Sequence, residues 1–175
     1  MAVCADAQTT LVTLARLPLR RVHFDEHIVS ADIRILQSGD KAILNSIAAD
    51  VFDNALEPAL VTEFLRDDRH HLAVAIEDGQ VVGFASGVHY VHPDKPPELW
   101  INEVGVAPSH HRRGIGKAIM GALLQHAKSL GCKEAWVLTE RSNRAAMHFY
   151  ASAGGEEAEG DQVMFTFFLE PDDER

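Results

Sequence analysis

Cysteine is scarce in this chain: Cys4 and Cys132 are the only two in 175 residues. They form no CxxC pair and no Cys/His spacing of a zinc site. That excludes a disulfide framework and a structural zinc, and it fits a reducing, cytoplasmic setting. No apolar run approaches the roughly 20 residues a membrane helix needs, so no membrane partner is expected. The start of the chain lacks a basic n-region and a cleavage site, which argues against a secretory signal. Positive charge is scarce too, with 16 Lys and Arg against 26 Asp and Glu, a formal net charge of −10. Residues 1–35 are balanced, four acids to four bases, while the last 20 residues carry eight acids and one arginine. Such a surface excludes nucleic acid as a partner, because phosphate contacts need clustered Lys and Arg. It attracts a cationic small molecule instead.

Alternating elements fill the middle of the chain. "ADIRIL" (31–36) reads as a strand, and "DKAILNSIAADVF" (40–52) places apolar residues at helical spacing. "EPALVTEFLRD" is a second helix with Pro58 in its first turn. Two β-rich runs around Asp78-Gly79 predict a hairpin. A strand over 99–107 leads into a helix over 113–130 with the stripe Ile115, Ile119, Leu123, Ala127 and Leu130, closed by Gly131. "KEAWVLTE" (133–140) is a strand, "SNRAAMHFYASAG" a helix, and "QVMFTFFLE" (162–170) a final strand. Residues 31–170 therefore read as one α+β domain, a mixed sheet with helices on its faces. Residues 1–30 read as an N-terminal arm and 171–175 as an acidic tail.

One stretch departs from the acidic background: "VGVAPSHHRRGIGKAIM" (104–120). It sits where a strand turns into a helix, so Arg112 to Lys117 supply the free N–H groups of a helix N-terminus, a natural anion site. Arg112, Arg113 and Lys117 add positive charge where the helix dipole favours acids, which suggests a bound anion rather than helix stability. Gly114 and Gly116 allow a ligand close to the backbone. The pattern is neither a P-loop nor a dinucleotide fingerprint.

"HHRRGIGKAIM" resembles the acetyl-CoA-binding segment of the GNAT superfamily of N-acetyltransferases, whose pattern is Arg/Gln-x-x-Gly-x-Gly/Ala after a strand. His111 stands where the superfamily usually has Arg or Gln. "ERSNRAAMHFYASAGG" resembles the superfamily's later segment through Asn143, Ala146, Phe149, Tyr150 and Gly154. The resemblance implies a GNAT-type, mostly antiparallel sheet flanked by helices on both faces, with acetyl-CoA as cosubstrate and often a homodimer. It implies that acetyl-CoA lies along Val104, Gly105 and Val106, on His111, Arg112, Arg113, Gly114, Ile115, Gly116 and Lys117, and near Asn143, Ala146 and Phe149. A narrower likeness, over residues 50–130, is to the aminoglycoside 3-N-acetyltransferases, and places Glu103 where those enzymes tend to carry a catalytic aspartate.

The chemistry agrees with these positions. Acetyl transfer needs a deprotonated amine, a polarised thioester carbonyl and a protonated leaving thiolate. Glu103 is placed to act as general base. A backbone N–H of Val104 or Gly105 is placed to donate to the carbonyl oxygen. Mid-strand Gly105 suggests a bulge or a close ligand. The superfamily match makes Tyr150 the acid for the thiolate. Cys132 reads as a packing residue, which favours direct transfer in a ternary complex over a covalent intermediate. The histidine pairs 70–71 and 110–111, with His89 and His92, lack third and fourth ligands, so no metal is expected. Asp53, Glu57, His89, Tyr90 and Glu140 are candidate contacts to the amine. The alternatives are a polyamine or protein N-acetyltransferase, or a non-catalytic acetyl-CoA sensor.

Overall fold

The computed structural model describes residues 30–160 and 163–167. The expected arm, the acidic tail and most of the expected final strand lie outside these residues. Of that strand, 163–167 is described and forms no ladder, with Val163, Met164, Phe165 and Phe167 exposed.

Strand β1 (Asp32–Ile35) leads into a 3-10 helix (Lys41–Asn45) and helix α1 (Pro58–Arg66). Strands β2 (His70–Glu77), β3 (Gln80–Tyr90) and β4 (Glu98–Val106) follow, then a 3-10 turn (Pro108–His110). Helix α2 (Ile115–Ser129), strand β5 (Glu134–Trp136) and helix α3 (Arg144–Ser152) complete the described elements. The sheet order is β1-β2-β3-β4-β5; the first four strands pair antiparallel and β5 runs parallel to β4. This is the expected mixed, mostly antiparallel α+β sheet.

Helices cover both faces, which is why β2 and β3 are buried almost continuously rather than alternately. On one face Ala73, Ala85, Leu99 and Ile101 pack against Ile115, Ile119 and Leu123 of α2. On the other, Leu72, Val74 and Phe84 pack with Leu44, Val51 and the α1 residues Val61 and Phe64. Each fully buried α2 side chain contributes about 1.5–3 kcal/mol of transfer free energy. The hairpin forms as expected: Asp78 (φ 51°) and Gly79 (φ 75°) give the two left-handed residues of a type I′ turn.

Several boundaries differ from the pattern. The helix expected over 40–52 is only the 3-10 turn 41–45. Beyond it the backbone serves β3 instead: Val81 N–H donates to the Ser46 carbonyl and Ala48 N–H to the Val81 carbonyl, both at 2.9 Å. The apolar spacing still fills the core, since Leu44 and Val51 are buried. Leu130 is the C-cap of α2 and is 39% exposed, so it leaves the stripe, and Met120 is buried in addition. Strand β5 ends at Trp136 rather than 140. It pairs with β4 only from Glu98↔Glu134 to Trp100↔Trp136, so beyond Trp100 the two strands part.

Candidate active site

The parting of β4 from β5 leaves residues 101–106 of β4 bonded to β3 on one edge only, among the described residues. One irregularity sets which way β4 side chains face. Ser86 pairs with Glu103 and Gly87 with Ile101, leaving Asn102 as an unpaired bulge residue. The expected bulge at Gly105 therefore lies three residues earlier. Gly105 has a different reason to lack a side chain: a Cβ there would collide with the Val51 carbonyl oxygen and come within 2.8 Å of the Phe84 ring.

The cationic turn follows. Gly114, the N-cap of α2, has φ 80°, and Arg112 has φ 59°. Left-handed residues in such a turn aim successive N–H groups into one concavity, an anion-binding form. The first intrahelical bond closes from Ala118 N–H to the Gly114 carbonyl, so the N–H groups of residues 112–117 have no partner among the described residues. The side chains divide into two sets. Glu77, from the end of β2, takes a 2.6 Å bond from Arg113, one of 2.6 Å from Ser30 and a 2.9 Å contact with His110. These partners, Arg113 foremost, hold the Glu77 carboxyl down at about 2. The His111 ring bonds the Val106 carbonyl at 2.7 Å. Arg112 and Lys117 alone among the turn's cations are exposed with no hydrogen bond or ion pair among the described residues. Sequence reasoning missed that Arg113 is spent on the fold.

Helix α3 lies against the same turn. Phe149 packs on Gly116, where a Cβ would stand 3.0 Å from its ring. Asn143 caps α3, its Oδ1 accepting from Ala146 N–H at 3.0 Å. Both residues thus have a local structural task. Tyr150 is half-buried against the α2-side core, and burial raises its phenol pKa, which keeps it a proton donor at neutral pH.

On the opposite face of the sheet, under α1, lies a cavity of about 340 Å³. Its walls include Phe52, Leu56, Leu60, Phe64, Leu72 and Phe84, with Phe52 stacked on Phe84 at a centroid distance of 3.8 Å. The polar groups at it include Asp53, Glu57, Ser86 and Glu103. Partial burial, and secondarily the charge of Asp53, raise the Glu103 carboxyl pKa. A carboxylate with a raised pKa is the stronger base. The structure thus brings Asp53, Glu57 and Glu103 to one cavity. The apolar walls come from the 52–64 region, expected only as helix, and from Leu72 and Phe84 of the hairpin strands.

Three other candidates lie elsewhere. His89 faces the α2 side: its Nδ1 is 2.8 Å from His71 Nε2, and His71 Nδ1 is 3.1 Å from His126 Nε2. Burial, reinforced by the neighbouring imidazoles, keeps His71 neutral with a pKa of about 4. His89 therefore belongs to a core histidine chain behind the sheet, not to the cavity. Tyr90 donates to Glu98 at 2.9 Å and accepts from Trp136 Nε1 at 2.8 Å, outside the cavity lining. Glu140 accepts from Ser142 at 3.0 Å beyond β5. Among the described residues no group of three or more His, Cys, Asp or Glu side chains is placed to hold a metal ion, and no described helix is long and apolar enough to cross a membrane.

Comparisons with known proteins bear on the family and the fold. An uncharacterized N-acetyltransferase of Mycobacterium tuberculosis is 30% identical over 106 residues, which cover 61% of this chain and 65% of that relative. Aminoglycoside N(6')-acetyltransferase type 1 of Salmonella typhimurium is 29% identical over 101 residues, 55% of this chain and 70% of that protein. An aminoglycoside acetyltransferase from an uncultured soil metagenomic sample, solved with sisomicin, superposes with a TM-score of 0.67 over 80% of this chain and 97% of its own. At 20% identity that last likeness is one of fold. The aminoglycoside relative with a named position is of the 6′ type, so the narrower likeness to 3-N enzymes has no support here. The profile of the Acetyltransferase (GNAT) family matches residues 41–154, most of the described chain, and the protein belongs to that family.

Proposed function

We propose that the protein transfers an acetyl group from acetyl-CoA directly to a primary amine of a cationic small molecule, with an aminoglycoside as the first acceptor to test. The observation that carries this reading is Glu103. It stands just past the point where β4 parts from β5, at a cavity that also holds Asp53 and Glu57, with its pKa raised. Bound acetyl-CoA supplies the activated thioester. The open N–H groups of the 112–117 turn, with Arg112 and Lys117, hold its pyrophosphate, and Val104 to Val106 hold the pantetheine arm. Glu103 takes a proton from the acceptor ammonium, directly or through water. A backbone N–H of Val104 or Gly105 donates to the carbonyl oxygen as the amine's nitrogen bonds to its carbon. The carbon–sulfur bond then breaks, Tyr150 gives its proton to the departing thiolate, and the phenolate takes the second proton of the amine nitrogen, leaving an N-acetyl amine, CoA and the first proton on Glu103.

A second reading has its own observation. The cavity is mostly apolar and sits at the small end of ligand pockets, which run about 300–1,000 Å³. An amine on an aryl or alkyl body fits those walls better than a whole polyhydroxylated antibiotic. Thiol release from acetyl-CoA with gentamicin, spermidine and 2-phenylethylamine separates the readings. Saturable turnover of gentamicin supports the first, and NMR of the product then tells 3-N from 6′ acetylation. Turnover of 2-phenylethylamine alone replaces the antibiotic with an apolar amine. Turnover of none of them, with acetyl-CoA bound, makes the protein a sensor rather than an enzyme.

A further inference from the structure

The only two tryptophans of the chain, Trp100 and Trp136, stack on each other with ring centroids 5.4 Å apart and planes 6° from parallel. They form the last rung on which β5 still pairs with β4. Leu99 and Ile101 enter the core under α2, so Trp100 faces the other way. The unpaired Asn102 resets the alternation, and Glu103 therefore shares the face of Trp100. Their β3 partners, Val88 and Ser86, are two residues apart on one strand, so the tryptophans occupy the row next to the base.

This row is braced from one side and open on the other. Trp136 Nε1 donates to the Tyr90 hydroxyl at 2.8 Å, and Tyr90 donates to Glu98 at 2.9 Å, with Lys95 paired to the same carboxylate. The Trp136 N–H is thus satisfied and its ring fixed, while Trp100 remains 40% exposed. A braced, part-exposed indole in the row beside Glu103 suits a ring with C–H faces and ammonium-bearing edges, since such groups are drawn to the π-surface.

We propose that the Trp100–Trp136 pair is a stacking subsite for a second ring of the acceptor, an amino sugar or aminocyclitol adjoining the ring that is acetylated. The inference deepens the aminoglycoside reading above and rests on it. It also explains how a cavity of about 340 Å³ serves a multi-ring acceptor: one ring enters and the next lies on the indoles.

Because these are the only tryptophans, intrinsic tryptophan fluorescence reports on this row alone. Titrating the full chain with kanamycin is expected to change that fluorescence saturably, with a midpoint matching the KM of kanamycin in the turnover assay. Trp100→Ala is expected to raise the KM for kanamycin about tenfold more than the KM for single-ring 2-deoxystreptamine, with Trp100→Phe between them. The wild-type titration keeps the test valid should Trp100→Ala fold poorly. Kanamycin turnover without a fluorescence change overturns this inference alone, as does a change produced by acetyl-CoA and not by kanamycin. No turnover of any amine defeats the proposed function and this inference with it.

Discussion

The two ends of the candidate site are built by opposite means. The anion turn is local: residues 106–117 supply its backbone, both left-handed positions and its cations, and Glu77 joins only to pin Arg113 and His110. Its ligand would be read through N–H groups, which any sequence able to make the turn provides. The acceptor face is assembled from afar. Phe52 to Phe64 come from the α1 region, Leu72 and Ser86 from the central strands, Glu103 from beyond a bulge, and the tryptophans from β5 and the first three residues of β4. Its ligand would be read through side chains. A turn that binds an invariant group needs little variation, whereas a wall of side chains can be exchanged to suit another amine. Cosubstrate binding and acceptor choice should therefore respond to different mutations.

The largest effect is expected at the joint between the two ends. Gly105→Ala drives a Cβ into the Val51 carbonyl and the Phe84 ring, displacing the chain that carries Asp53. A loss of about 3 kcal/mol in denaturant unfolding is expected, with acceptor binding weakened more than acetyl-CoA binding. Tyr150→Phe should lower kcat about a hundredfold while leaving both KM values near wild type, since it removes only the proton for the thiolate. Arg112→Gly separates stability from binding within the turn. It relieves a left-handed arginine and should stabilise the fold by about 1 kcal/mol in thermal melts, while acetyl-CoA binds more weakly in calorimetry. Asp53→Asn should have the smallest effect. The acid limb of the kcat/KM profile follows ionisation of Glu103 and lies above the ordinary glutamate pKa. Burial is the larger cause of that shift and Asp53 the smaller. Removing the Asp53 charge lowers the Glu103 pKa, so the limb moves modestly to lower pH; a limb that stays or rises would remove Asp53 from the site.

The contrast between the ends also explains what was legible in the sequence. The order of strands and helices, the Asp78-Gly79 hairpin and the turn before α2 all rest on neighbouring residues and could be read directly. The apolar pattern of 40–52 was read correctly as core-facing but wrongly as an α-helix. Its backbone bonds to Val81, more than thirty residues ahead, and no local periodicity reports that. Gly105 looked like room for a ligand and is room for the Val51 carbonyl. His89 looked like a strand-end contact and is bonded into a chain with His71 and His126, from two other elements. The stacked tryptophans carried no motif at all. Their one signal was being the only two, and only strand pairing shows that they share a sheet face with Glu103.

The central claim is that Glu103 serves the amine and not acetyl-CoA. Glu103→Gln, which keeps the shape of the side chain, tests it by measuring kcat/KM for the amine beside the Kd of acetyl-CoA. A fall in kcat/KM of about 10²- to 10⁴-fold with an unchanged Kd is predicted, the range expected for loss of a general base. Full activity in that variant, or an equal loss in acetyl-CoA affinity, would contradict the account.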